Sequence, residues 1–180
     1  MAESAYTRPG RTKPAQGRVS MRSALSLLLF ALTSGLHAAA PADANLPVTL
    51  DERISACVQN EDQDPTRAIA LAQSVLDPGT ALTQRQRAEA LGCRGWAQSV
   101  TARNEDARRD AFALRDLVRG FEPGAERVRL TRRAGSILHR SGDRIGAVDL
   151  YAQAVADAEA QGLEAERIPL LVNLGVLHSE

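Results

Sequence analysis

A spacing of forty residues recurs through the chain and constrains its fold more than any other feature. Glycines, arginines and alanines keep this spacing. The matching positions are Gly95, Gly135 and Gly175, then Arg87, Arg127 and Arg167, and finally Ala107 and Ala147. Periods of this length are typical of chains built from stacked supersecondary units, none of which buries its apolar surface alone. We therefore predict a domain of repeated units.

The clearest unit reads as two helices joined by a short turn. Its first half carries an apolar stripe near a period of 3.6 residues, with arginines on the opposite side. The stripe consists of Val128, Leu130, Ala134, Ile137 and Leu138. The sequence Ser141-Gly142-Asp143 then interrupts the pattern. Gly142 is suited to the left-handed conformation that ends a helix, and Asp143 can cap the next one.

The second helix of this unit, which follows Asp143, carries two apolar stripes. One contains Ile145, Val148, Ala152 and Val155, and the other contains Ala147, Leu150, Tyr151, Ala154 and Ala158. We expect neighbouring helices to cover both. Gly135 and Ala147 are small where two helices would cross closely. Tyr151 would fill the wider gap beside them. Ala154 would be small where the next hairpin packs.

Residues 128–167 resemble a tetratricopeptide repeat (TPR). The small and aromatic positions of that family are matched by Gly135, Gly142, Ala147, Tyr151 and Ala154. The resemblance continues at Gly175 and is weaker in 88–127 and in 48–87, and the period is 40 residues where the family has 34. It implies an all-α fold, an antiparallel helix-hairpin solenoid of about seven helices.

The N-terminal part has a different composition. Residues 1–20 are polar and aperiodic, which indicates a disordered extension or a mis-assigned start with translation beginning at Met21. Residues 21–42 resemble a signal peptide, with Arg22 before an apolar run over 24–36 and a cleavage site before Asp43. An uncleaved tail or a buried helix is the alternative. Export predicts a periplasmic or secreted protein of the bacterial cell envelope, with 43–180 as the repeat domain.

Charge and motifs argue against two classes of function. The net charge is zero overall, but residues 1–42 carry +4 and 43–180 carry −4, which disfavours a duplex nucleic-acid binder. The histidines are His37, His139 and His178, and no nucleophile, phosphate-binding or metal-binding motif is found. We expect no enzyme, no cofactor and no metal site.

The two cysteines, Cys57 and Cys93, fall in predicted helices of adjacent hairpins. In an oxidising compartment an even pair is consistent with a disulfide. Two small, buried apolar side chains are an equally good interpretation.

The TPR resemblance implies a groove lined by the first helix of each unit. The groove positions of this chain would be Arg129, Arg132, Ser136, His139 and Arg140, with Trp96 from the preceding unit. Because arginine offers fork-shaped donors, such a groove could bind an acidic protein or peptide partner. The alternative is a solvated face whose arginines exchange weak ion pairs with neighbouring helices.

The last helix is crowded with apolar residues. They are Ile168, Leu170, Leu171, Val172, Leu174, Val176 and Leu177. We expect part of this surface to be exposed, and two interpretations follow. A signal segment followed by long-period TPRs resembles the periplasmic sensor part of bacterial membrane signalling proteins such as diguanylate cyclases, of which this chain would be a C-terminally incomplete part. The alternative is a self-contained envelope scaffold or assembly factor that oligomerises through this helix.

Overall fold

The computed structural model describes residues 49–179, and within that range the chain is all-α. Its seven helices are α1 (Leu50–Asn60), α2 (Pro65–Val75), α3 (Gln84–Val100), α4 (Asn104–Val118), α5 (Ala125–Arg140), α6 (Arg144–Ala160) and α7 (Glu164–Ser179). The predicted all-α class and the number of helices are confirmed. The predicted extension 1–20 and signal segment 21–42 lie outside the described residues. None of the described helices is long and apolar enough to cross a membrane.

Side-chain caps fix where several helices begin. The Asp64 carboxylate accepts a hydrogen bond from the backbone N–H of Arg67, and Pro65 takes the first helical position. Thr83 and Gln86 form a capping box at the start of α3. The Asp143 carboxylate accepts from the N–H of Gly146 at 2.9 Å and starts α6.

The turns that follow α3 and α5 have the same backbone conformation and hydrogen bonding. Gly142 follows α5 with φ of 86°, and Ala102, forty residues earlier, follows α3 with φ of 58°. In both turns the next N–H donates to a carbonyl five residues back, which satisfies a helix-end acceptor. These bonds join Asp143 to Leu138 and Arg103 to Gln98, each at 2.9 Å. The forty-residue period is therefore a period of backbone geometry as well as of sequence.

The helices pack in two layers. Each helix contacts the next along the chain, and α1, α3, α5 and α7 also contact one another in that order. In the described part of the chain, α2, α4 and α6 contact only their neighbours in sequence. The first helices of the hairpins thus form one layer and the second helices form the other.

The core lies between the layers. The apolar stripe of α5 is fully buried, and so are the small positions Gly95, Ala107, Gly135, Ala147 and Ala154. The second α6 stripe, which contains Tyr151, is buried against them. The expectation that both α6 stripes are covered is wrong, because Ile145 is 78% exposed and Ala152 is exposed. Since α5 and α7 contact each other, they cover α6 from the same side, and one stripe meets both.

A disulfide joins the first two hairpins. Cys57 of α1 is bonded to Cys93 of α3, with their Cα atoms 6.2 Å apart. Both cysteines are essentially inaccessible to solvent, in a small apolar cluster that includes Ala68 and Leu71 of α2. The structure thus agrees with the disulfide interpretation of this cysteine pair.

Candidate ligand groove

A groove runs across the layer formed by α1, α3, α5 and α7, and its middle part is a cavity of about 390 Å³. The cavity is lined by Val58, Glu61, Glu89, Gly92, Cys93, Trp96, Arg129, Arg132, Arg133, Ser136 and Asn173. These residues come from α1, α3, α5 and α7. The wall is therefore made by the first helix of each hairpin together with α7.

Towards α7 the groove continues into a second cavity of about 370 Å³, which we call the α5–α7 cavity. Its lining consists of Trp96, Ser136, His139, Arg140, Tyr151 and Asn173. Trp96, Ser136 and Asn173 line both this cavity and the middle one. All six residues that the sequence places in a groove thus line one or both of these adjoining cavities.

Towards α1 the groove opens into a cavity of about 760 Å³, the α1–α3 cavity. Asp51, Ile54, Ser55, Val58, Gln59, Thr83, Arg85, Gln86 and Glu89 line it. Val58 and Glu89 are shared with the middle cavity. The three cavities therefore adjoin one another from α1 to α7.

Two of the groove arginines are neutralised within the chain. Arg129 forms an ion pair with Glu89, and Arg133 forms one with Glu61. The second pair connects the end of α1 to α5 and has little exposure to solvent, since the Glu61 side chain is only 11% exposed. The interpretation of the groove as a face of intramolecular ion pairs thus describes these two arginines.

Arg132 differs from Arg129 and Arg133 in the partners of its side chain. Its Nε is buried without a hydrogen-bond partner, and among the described residues no carboxylate forms an ion pair with its guanidinium. The phenol of Tyr151 donates to Ser136 Oγ at 3.0 Å, and Ser136 Oγ donates to the backbone carbonyl of Arg132 at 3.0 Å. These bonds hold the tyrosine and the serine beside Arg132, but neither of them provides an acceptor for its side chain.

Trp96 is fixed on the groove wall by three polar neighbours. Its indole Nε1 donates to the Asp62 carboxylate at 2.8 Å. The guanidinium carbon of Arg133 lies 4.8 Å from the centre of an indole ring, and that of Arg140 lies 5.3 Å away. Both distances are within the range of cation–π attraction. Trp96 therefore closes the seam between α3 and α5 and also orients two cationic side chains.

Burial shifts two titratable groups at this site. Desolvation raises the pKa of Glu61 above its ordinary value, and the neighbouring Arg133 only partly opposes this shift. Desolvation also raises the pKa of the Tyr151 phenol, against the opposing effects of the Ser136 hydrogen bond and the Arg132 charge. The positive charge of Arg132 is thus felt at Tyr151, in a part of the groove that is shielded from solvent.

The lining residues of the middle cavity that were not predicted as groove residues include four with charged or amide side chains: Glu61, Glu89, Arg133 and Asn173. Glu89 had a usable signal, because it lies forty residues before Arg129 and opposite charges at equivalent positions of adjacent units can pair. Asn173 likewise lies forty residues after Arg133. The sequence held no such signal for Glu61, because its partner Arg133 is 72 residues away, which is not a multiple of forty.

The groove lining is rich in donors. No group of histidine, cysteine, aspartate or glutamate side chains among residues 49–179 could hold a metal ion. What the arrangement offers a ligand is hydrogen bonding and positive charge from Arg132 and Arg140, beside the indole of Trp96. No protein-family model, curated protein or solved structure matches this chain.

Proposed function

We propose that this chain is an exported, TPR-like interaction module that binds an acidic segment of a partner protein in the groove across α1, α3, α5 and α7. The module would serve as the sensor or scaffold part of a larger envelope signalling protein and would not itself catalyse a reaction. The forty-residue period, the two-layer packing of the helices and the groove support this proposal.

The uncompensated charge of Arg132 is the observation that carries the proposal. The buried Nε of Arg132 lacks an acceptor and carries a desolvation cost, whereas its neighbours Arg129 and Arg133 pair with carboxylates. A carboxylate brought by a ligand would supply the missing acceptors through charge-assisted hydrogen bonds. Arg140, eight residues further along α5, lines the adjoining α5–α7 cavity and would attract the same acidic segment.

The test uses a pool of random twelve-residue peptides passed over the immobilised, purified chain, with bound peptides identified by mass spectrometry. We expect enrichment of peptides with aspartate or glutamate. Arg132→Gln should weaken binding of the enriched peptides by about tenfold or more, because a hydrogen bond to a charged group contributes about 1.5–3 kcal/mol. Arg109→Gln is the matched control, since Arg109 on α4 is 73% exposed and outside the groove lining.

Two results would contradict the proposal. One is a chain that enriches no peptide over the heat-denatured protein. The other is equal loss of binding in Arg132→Gln and Arg109→Gln, which would indicate a non-specific effect of net charge. Export has its own test, since mass spectrometry of the protein from the cell envelope should show a chain that begins at Asp43.

A second function, an assembly factor that oligomerises, is favoured by the outer face of α7. Ile168, Leu171, Val172 and Val176 are each between 43% and 60% exposed, and they leave an apolar face on one helix. We propose self-association through this face as the alternative. Light scattering should then show a mass that rises with concentration and returns to that of a monomer in Val172→Asp. A wild-type chain that stays monomeric at high concentration would rule it out.

A further inference from the structure

The α1–α3 cavity differs in chemistry from the rest of the groove. Its volume of about 760 Å³ exceeds that of the middle cavity and that of the α5–α7 cavity, and its apolar side chains are Ile54 and Val58. We propose that this cavity is a second subsite, which takes an aliphatic side chain of the same peptide segment whose carboxylate binds at Arg132. This inference rests on the proposed function and adds the composition and the direction of the bound segment.

Val58 marks the contact point for the aliphatic side chain. It is 46% exposed, one of the few large apolar residues of the described chain that is not covered. Ile54, one turn earlier on the same helix, is buried and forms the floor beside it. Covering the exposed apolar surface of Val58 by an aliphatic ligand side chain is favourable because it removes apolar surface from water.

The charges along the groove determine the direction in which the ligand binds. In the α1–α3 cavity Glu89 is paired with Arg129 and Arg85 is paired with Glu126, which leaves the carboxylate of Asp51 as the charge without an ion pair. An anionic group is disfavoured there. At the opposite end Arg132 and Arg140 form no ion pair with any described carboxylate. The acidic group of the ligand therefore lies toward α7 and the aliphatic group toward α1.

The middle cavity, which shares Val58 and Glu89 with the α1–α3 cavity, joins the two subsites. Gly92 lines the middle cavity, and a Cβ at this position would lie 3.3 Å from Arg133 Cγ. Cys93, held by the disulfide, lies next to it on the floor. The absence of a side chain at Gly92 lets α3 pack closely against α5 beneath the middle cavity.

The experiment repeats the random twelve-residue peptide selection with two pools, one with free C-terminal carboxylates and one with C-terminal amides. We expect enriched peptides to carry a valine, leucine or isoleucine at a constant separation from an acidic group. Enrichment in the free-acid pool alone would assign that group to the chain terminus. Enrichment in both pools would assign it to an aspartate or glutamate side chain.

Two variants separate the subsites. Val58→Asp should abolish the aliphatic preference and weaken binding of the enriched peptides by about tenfold, while the preference for an acidic group persists. Ile145→Asp, a substitution of an exposed aliphatic residue on α6, is the matched control and should bind like the wild type. Val58→Thr, nearly the same shape, should reduce affinity less, and circular dichroism should show both Val58 variants folded.

The inference and the proposed function fail in different ways. A persistent aliphatic preference in Val58→Asp, or enriched acidic peptides without an aliphatic residue at fixed spacing, would overturn the second subsite and leave the acidic-peptide groove standing. Unfolding of both Val58 variants would overturn the assignment as well, since a surface contact residue must tolerate Thr. No enrichment by the wild type would overturn the proposed function itself.

Discussion

The ring of Tyr151 occupies the space that a side chain at Gly135 would need. A Cβ built on Gly135 would lie 2.9 Å from Tyr151 Cε1 and 3.0 Å from Cδ1. The helices α5 and α6 approach closely at this point, and the tyrosine is 1% exposed. Gly135→Ala should therefore lower the free energy of unfolding by about 1–2 kcal/mol, because the overpacking penalty exceeds the gain in helix propensity. Urea denaturation measures the change.

Gly175 provides the control for this substitution. It lies forty residues later at the equivalent position of α7, is exposed, and has no atom within 4 Å of a built Cβ. Gly175→Ala should raise the free energy of unfolding by about 0.5–1 kcal/mol through helix propensity alone. Equal effects of the two substitutions would show that Tyr151 does not press against Gly135.

The two turns that contain a residue with positive φ, at Ala102 and Gly142, predict one stabilising and one destabilising substitution. Ala102 has a φ of 58°, where a Cβ is disfavoured by about 1–2 kcal/mol, and its equivalent forty residues later is Gly142. Ala102→Gly should raise the free energy of unfolding by about 0.5–1 kcal/mol after the entropy cost of glycine is subtracted. The reverse change, Gly142→Ala, should lower it by about 1 kcal/mol. Thermal unfolding in which Ala102→Gly destabilises the chain would contradict the shared turn geometry.

The disulfide between Cys57 and Cys93 should make a large contribution to stability. It closes a loop across a sequence separation of 36 residues, for which chain entropy predicts about 4 kcal/mol. The double variant Cys57→Ala with Cys93→Ala should lose about that amount in urea denaturation. A thiol-reactive reagent should find no free cysteine in the wild type unfolded in urea without reductant, and labelling under these conditions would show that the bond is absent.

Glu61 predicts a specific pH dependence. Because burial raises its pKa in the folded state above the ordinary value of 4.5, the folded chain holds this proton at a pH where the unfolded chain has lost it. The stability linked to Glu61 is thus fully present below pH 4.5 and is lost as the pH rises through the folded pKa. The free energy of unfolding of the wild type, relative to Glu61→Gln, should fall between pH 4.5 and neutrality. A rise over the same range would mean that attraction to Arg133 outweighs desolvation.

The helices and their limits could be predicted from the sequence because their determinants are local. The cap at Asp64, the capping box at Thr83 and the turn at Gly142 each depend on residues within a few positions of one another. The buried stripe of α5 followed from periodicity. Repetition then extended a local pattern to the neighbouring units, which gave seven helices.

The side-chain partners across helices could not be predicted in the same way. Pairing of Arg133 with Glu61, and the lack of a partner at Arg132 beside it, depend on how α1, α3 and α5 are oriented. Two adjacent arginines on one helix look alike in sequence. The exposure of Ile145 was missed for the same reason, since it follows from α5 and α7 lying on one side of α6.

Trp96 offers the most direct test of the groove, because it is the single tryptophan of the chain and lines both the middle and the α5–α7 cavities. The measurement is an NMR titration of the isotope-labelled chain with an enriched acidic peptide, following the indole N–H of Trp96 and the side-chain Nε–H of Arg132. Both signals should shift together and saturate in the wild type and in Arg109→Gln, and Arg132→Gln should require about tenfold more peptide. A peptide that binds while both signals stay in place would show that the groove is not the binding site.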